Sequence, residues 1–237
     1  MTRALTWDGC LNVRDLGGVP LEGGGETRFR TLIRADSVRR LTDDGWHSLA
    51  GHGIRRVVDL RWQEELADDP PRDIDVEVVH VSLLGSYDPA VDGDMDGFVS
   101  RRDIVGFRVA GYSRWLERYR GEFAKALAAL ADADGPAVFH CTSGKDRTGL
   151  VAALVLRLAG ASIDEIATDY ALSERNVLTG DEEVEEYFLR ATPAEGMALT
   201  LSALESRHGS VRDYLRGCGL DEARMALLRD RLRVNPM

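Results

Sequence analysis

Residues 137–149 read Ala137-Val138-Phe139-His140-Cys141-Thr142-Ser143-Gly144-Lys145-Asp146-Arg147-Thr148-Gly149. The first part is a short apolar run and reads as a buried strand. A cysteine, five residues, an arginine and Thr148-Gly149 follow, and then Leu150–Ala159 reads as a mostly buried helix. A loop between a strand end and a helix start is where backbone N–H groups converge on an anion.

Each residue type in that loop has a chemical reason. Cys141 stands at the mouth of a ring of amides and a positive helix end, a setting that favours the nucleophilic thiolate form of a cysteine. Arg147 can fold back over the loop and offer a planar fork to two phosphate oxygens. Gly144 lets the backbone approach a ligand or take a positive φ. Thr148 can donate its hydroxyl to the sulfur. Together these are the parts of a phosphate-monoester hydrolase working through a cysteinyl-phosphate: nucleophile, amide cradle and charge clamp. The plainer alternative is a buried cysteine beside a glycine turn, since free cysteine often packs as a small hydrophobe. A bare C-x5-R match is weak, but the strand before it and the Thr-Gly and apolar helix after it supply the context that a motif needs.

His140-Cys141-Thr142-Ser143-Gly144-Lys145-Asp146-Arg147-Thr148-Gly149 resembles the signature loop of cysteine-dependent protein tyrosine phosphatases. Lys145-Asp146 before Arg147 is similar to the atypical bacterial branch, the mycobacterial protein tyrosine phosphatase B type. Asn12-Val13-Arg14-Asp15-Leu16-Gly17-Gly18 resembles that branch's second signature, and Asp59-Leu60-Arg61 and Gly209-Ser210-Val211-Arg212-Asp213-Tyr214-Leu215 also look familial. The resemblance spans nearly the whole chain. It implies a phosphotyrosine-phosphatase-like fold with the N-terminal turn bordering the active site. It also implies Asp146 as an acid, and Asp88, in a loop after a strand, as the other candidate. Loop lysines like Lys145 occur in phosphoinositide-active relatives, so lipid head groups stay open as substrates. The segments after Leu84 and Asn176 look short for that branch's helical lid. A partial lid is expected around 85–110 and 176–195, built mainly from an acidic helix over Gly180–Arg190.

Composition agrees with a soluble globular protein: of 237 residues, 44% are hydrophobic and 30% charged, and the net charge is -10. That charge argues against nucleic acid or an anionic membrane surface as bulk partner, although an anion-binding loop can oppose it locally. Cys10, Cys141 and Cys218 are three and widely spaced. They fit a reducing compartment, and no C-x-x-C or clustered Cys/His spacing points to zinc. Met1–Asp8 has no apolar signal region and no stretch is long enough to span a bilayer, which points to the cytoplasm; relatives exported without a recognisable signal leave export open.

Along the chain, Gly17-Gly18 and Gly23-Gly24-Gly25 punctuate a small β unit, with Thr27–Ile33 of β character. Asn12, Arg14 and Asp15 read as residues tying a glycine-rich turn together. Thr42 caps a helix ended by Gly51 and Gly53, and Ile54–Leu60 is a strand carrying Asp59 and Arg61 at its carboxyl end, where α/β sites form. Asp59 could orient Arg147 or the loop, or simply pair with Arg61. Val76–Leu84 is a further strand. Asp92-x-Asp94-x-Asp96-Gly97 partly matches a calcium loop, but Asp103 stands where the twelfth-position glutamate belongs, so a solvated loop is the reading. Gly111–Ala133 reads as helical by its apolar spacing. Ser162 opens a capping box, and Pro193–His208, Ser210–Gly217 and Asp221–Leu232 make a helical C-terminal third.

The expectation is therefore a single α/β domain over 1–237, with a mostly parallel, mixed sheet of about five strands flanked by helices and the loop at one strand's carboxyl end. Cys141 would attack phosphorus. Arg147 and the backbone of Thr142, Ser143, Gly144, Lys145 and Asp146 would hold the oxygens, with Asp146 or Asp88 protonating the leaving group. No metal or organic cofactor is called for. The partner would be a phosphorylated protein, dephosphorylated at tyrosine with dual specificity, or another phosphomonoester. Phosphoinositide and sugar or nucleotide phosphatases are the alternatives. A non-catalytic phosphopeptide module would lack Cys141 or Arg147, and a sulfurtransferase would lack the Arg-Thr-Gly ending. Oligomeric state is not legible.

Overall fold

A computed structural model of the chain describes residues 1–68, 76–85, 101–177, 186–187 and 190–233. In chain order the elements are β1 (Arg14–Asp15), β2 (Leu32–Ala35), a 3-10 turn (Val38–Arg40), α1 (Asp43–Gly51), β3 (Arg56–Asp59), α2 (Gln63–Asp68) and β4 (Glu77–His80). Then come α3 (Ile104–Arg118), α4 (Arg120–Ala131), β5 (Ala137–His140), α5 (Asp146–Ala159), α6 (Ile163–Ala171), α7 (Glu174–Val177), α8 (Ala194–His208), α9 (Val211–Gly217) and α10 (Glu222–Leu232). The five strands lie in the order β1-β2-β5-β3-β4. β1 is antiparallel to β2, and every other neighbouring pair is parallel.

The central strand β5 is wholly buried because both sheet faces are covered. Its side chains alternate, as a strand's must. Ala137 and Phe139 join the larger core with α3–α6 and α8–α10, while Val138 faces the smaller one with Trp7, Val13 and Leu49 of α1. Register places His140 opposite Ala35 on one side and Asp59 on the other, so three parallel strands end level. The loop leaves from that shared carboxyl edge.

Helix starts follow their caps. Thr42, Ser162, Ser210 and Asp221 each accept a backbone N–H three residues on, as side-chain oxygens at this position do. Asp103 also caps, accepting the Gly106 N–H at 2.8 Å at the start of α3. Three expectations change in detail. The strand Val76–Leu84 shortens to Glu77–His80. The β character of Thr27–Ile33 divides: Leu32 and Ile33 enter β2, while Thr27 bonds back to Gly18 and Val19 in a turn. The helical stretch Gly111–Ala133 is two helices, broken at Tyr119 (φ -107°, ψ 31°), whose N–H closes α3 on Trp115 and whose carbonyl opens α4. No proline marks that break, so the apolar period runs straight through it. Among the described residues no helix is long and apolar enough to cross a membrane.

Candidate active site

Cys141 follows β5 directly and is buried, and α5 begins five residues later at Asp146. The four N–H groups of a helix's first turn have no intrahelical acceptor, and they point into the loop. The loop's curvature is set from outside. The Thr142 carbonyl accepts the Ser37 N–H at 3.1 Å. The Ser143 carbonyl accepts Asn12 Nδ2 at 2.9 Å, and the Gly144 carbonyl accepts an Arg34 guanidinium nitrogen at 2.8 Å. A trans peptide holds C=O and the next N–H on opposite sides. Three carbonyls tied outward therefore turn the N–H groups of Ser143, Gly144 and Lys145 inward.

Gly144 makes this turn with φ of 67°, and a Cβ there would lie 2.5 Å from the Ala35 carbonyl oxygen and 2.6 Å from the Asp36 nitrogen. Both are backbone and cannot move aside. Gly144→Ala is expected to cost at least about 1–3 kcal/mol from the backbone conformation alone. The check is a thermal unfolding scan showing a Tm several degrees lower; an unchanged Tm would contradict this geometry.

Arg147 lies on the first turn of α5 with its guanidinium over the Trp62 ring, 4.9 Å from the centroid. Glu65 of α2 takes it end-on: Glu65 accepts both terminal nitrogens, one at 2.9 Å, together with the Thr142 hydroxyl. The Trp62 N–H holds the same carboxylate at 2.7 Å. Burial raises the proton affinity of Glu65, but the Arg147 hydrogen bond and charge outweigh it and hold the carboxyl down at about 2. Arg147 is correspondingly fixed as a cation.

Asp146 sits on the other flank. It accepts the Tyr112 hydroxyl and lies 3.4 Å from Arg108 and 3.2 Å from Lys145 Nζ. The Tyr112 and Tyr170 hydroxyls are 2.7 Å apart. Burial would raise the Asp146 carboxyl, yet the Lys145 and Arg108 charges and the Tyr112 bond hold it below the usual carboxylate range. Burial pulls the Lys145 ammonium down to about 8, with Asp146 opposing and Arg108 assisting.

The remaining expected residues divide. Asp15 ties its turn, accepting the Gly17 and Arg30 N–H groups. Asn12 and Arg14 do more, since Asn12 reaches the loop itself. Asp59 pairs with Arg61 at 2.7 Å and lies 3.7 Å from His140, and it does not bond Arg147. Thr148 is fully buried, and its hydroxyl finds no partner among the described residues, the Cys141 sulfur included. Asp88 lies outside the described residues, as do Asp92, Asp94, Asp96 and most of Gly180–Arg190. No group of three His, Cys, Asp or Glu able to hold a metal occurs among the described residues.

Sequence reasoning missed Glu65, Arg34, Asp169, Arg108 and Tyr112. Glu65 had a local signal: it follows a strand's carboxyl end by one turn of helix, where a charged side chain can reach the site.

The tyrosine phosphatase family model matches residues 5–234. A tyrosine-protein phosphatase of Nostoc commune is 31% identical over 222 residues, covering 85% of this chain and 74% of that protein. The triple specificity protein phosphatase PtpB of Mycobacterium tuberculosis is 26% identical over 269 residues, covering 93% of this chain and 96% of that protein. Because the family match takes in the loop, the N-terminal turn that braces it and the helical C-terminal third together, the chain belongs to the tyrosine phosphatase family and is a phosphatase.

Proposed function

We propose that this phosphatase works through a cysteinyl-phosphate on Cys141, in one domain formed by the described residues. The observation that carries this is the loop's bracing: the carbonyls of Thr142, Ser143 and Gly144 are each tied outward, which turns the amides that follow them toward the inside of the loop that Cys141 opens. The Cys141 thiolate attacks phosphorus, and an S–P bond forms as the ester P–O bond breaks. The leaving oxygen takes a proton from an acid. Water then attacks the same phosphorus and passes a proton to that group's conjugate base. The S–P bond breaks, returning thiolate and inorganic phosphate. The amides and Arg147 hold the equatorial oxygens, where charge accumulates.

For the acid we favour Asp146. In the free protein its neighbours keep it ionised. Entry of a phosphate dianion beside the thiolate adds two negative charges at close range and raises its proton affinity. Two aryl phosphates, one with a good and one with a poor leaving group, give the test. Asp146→Asn is expected to slow the poor leaving group far more, about 10²–10⁴-fold, and to flatten the basic limb of the pH–rate profile. If Asp88→Asn shows that pattern and Asp146→Asn does not, the role passes to Asp88.

The substrate we propose is a phosphorylated protein, tyrosine-directed with dual specificity. A cavity of about 390 Å³ lined by Ile104, Val105, Tyr187 and Pro193 adjoins Ala191, whose carbonyl holds Arg108, and it would take a side chain flanking the phosphorylated residue. Lys145 and Arg108 together favour a second reading, a substrate with an additional phosphate such as a phosphoinositide head group. A panel of phosphotyrosine and phosphoserine peptides, phosphoinositides and nucleotides separates the two by kcat/KM. Free thiols at Cys10, Cys141 and Cys218 fit the reducing cytoplasm as its setting.

A further inference from the structure

Beneath the loop, on the side away from the Cys141 mouth, one buried carboxylate gathers three arginines. Asp169 of α6 is bonded by Arg14 at 3.0 Å, by Arg34 at 2.7 Å and by Arg3. Arg14, Arg34 and Asp169 are essentially shut off from solvent, at 4%, 0% and 1% exposure. Both buried arginines continue toward the loop. Arg34 donates to the Gly144 carbonyl at 2.8 Å. Arg14 donates to Asn12 Oδ1 at 2.8 Å, and Asn12 Nδ2 donates to the Ser143 carbonyl at 2.9 Å. Two unbroken paths thus run from one carboxylate to two consecutive loop carbonyls.

The charge balance is the second observation. Two buried guanidiniums, Arg14 and Arg34, against one buried carboxylate leave one positive charge in excess, and the third, Arg3, keeps 24% of its side chain in solvent. Burying uncompensated charge is costly, and a cluster serving stability alone would be balanced or apolar. A phosphate dianion bound in the loop would bring negative charge to this cluster. Burial and Arg14 lower the proton affinity of Arg34 to about 10, against the opposing pull of Asp169. The Arg34 Nε is buried with no partner among the described residues. Its geometry satisfies the fork on Asp169 and Gly144 at the expense of that donor.

We propose that Asp169 is a positioning residue for the phosphoryl-binding loop. Through Arg34, and through Arg14 and Asn12, it holds the Gly144 and Ser143 carbonyls outward so that the amide cradle is formed before substrate arrives. The assignment rests on the loop being the phosphoryl site. It gives the N-terminal signature a role beyond its own turn.

The test compares full-length Asp169→Asn, Asp169→Glu and Asn12→Ala with the parent. Asn12→Ala cuts the path through Arg14 and keeps every charged group, at the loss of one Arg14 hydrogen bond, so it tests that path if Asp169→Asn does not fold. Turnover is measured with para-nitrophenyl phosphate. Inorganic phosphate binding is measured by calorimetry in a Cys141→Ser background, which needs no turnover. Loss of oriented donors predicts kcat/KM lower by about 10–10²-fold and phosphate affinity lower by about tenfold in Asn12→Ala and Asp169→Asn, with folded protein at the assay temperature. Asp169→Glu, which keeps the charge, is expected to recover part of both. Folded Asn12→Ala with kcat/KM and phosphate affinity within twofold of the parent overturns the proposal. If the Cys141-containing parent shows no turnover while Asn12→Ala and Asp169→Asn still weaken phosphate binding, the cysteinyl-phosphate reading falls and the positioning role stands.

Discussion

Cys141→Ser is expected to lose turnover by roughly 10⁴–10⁶-fold, the scale seen when a covalent nucleophile is removed, while still binding inorganic phosphate and vanadate. The two effects separate because different atoms serve them. Binding depends on the inward amides of the loop, and these are set by Ser37, Asn12 and Arg34. Serine keeps the backbone and the approximate size of cysteine but is far too weakly acidic to attack phosphorus unaided. Arg147→Ala is expected to damage both, since the charge clamp acts on ground state and transition state alike. Vanadate should inhibit the parent competitively, and chelators should leave its rate unchanged. Near-parental turnover in Cys141→Ser would end the cysteinyl-phosphate mechanism; loss of phosphate binding in the same variant would show that the amides and Arg147 do not by themselves hold the anion.

What the sequence revealed and what it hid follow from distance along the chain. Cys141, Gly144 and Arg147 fall within one turn of chain, and strand, loop and helix are contiguous, so residue order alone assembles them. Helix starts were legible for the same reason: Ser162 accepts the Glu165 N–H and Asp221 the Arg224 N–H, both three residues away. The Asp59–Arg61 pair is also local. By contrast, Arg34 meets Asp169 across 135 residues, and Tyr112 meets Asp146 across 34. Such partners are brought together by tertiary packing, Arg34 of β2 with Asp169 of α6 and Tyr112 of α3 with Asp146 of α5, which no periodicity encodes. Asp103 shows the converse error in kind. Its position in a partial calcium-loop spacing drew attention, while its actual work is to cap α3, a role that any aspartate before a helix can take. The expected Thr148 hydrogen bond to sulfur also failed to appear, because rotamer and helix phase, not adjacency, decide where a hydroxyl points.

Glu65→Ala decides between two opposite roles for the carboxylate that grips Arg147. If Glu65 competes with substrate for the guanidinium, removing it should raise kcat/KM. If it anchors the guanidinium, kcat/KM should fall. Geometry favours the anchor. The carboxylate is itself held by the Trp62 N–H at 2.7 Å and by the Thr142 hydroxyl, and the cation is also stacked over Trp62. A competitor would need freedom to leave, and each of these contacts opposes departure. A guanidinium has five N–H donors, so an end-on carboxylate does not exhaust it. The expected result is kcat/KM lower by about 10–10²-fold, with weaker phosphate inhibition, because a clamp left to sample several rotamers must be ordered by the substrate itself. The Glu65 carboxyl is lowered to about 2 from its ordinary 4.5, against the raising effect of burial. Its contribution to folding is therefore fully present above about pH 4.5 and is lost as pH falls toward 2. Across neutral assay conditions the anchor stays ionised, and Glu65→Gln should show the loss at every pH from 5 to 8. A rise in kcat/KM on Glu65→Ala would instead make Glu65 an occupant of the phosphate site that substrate must displace.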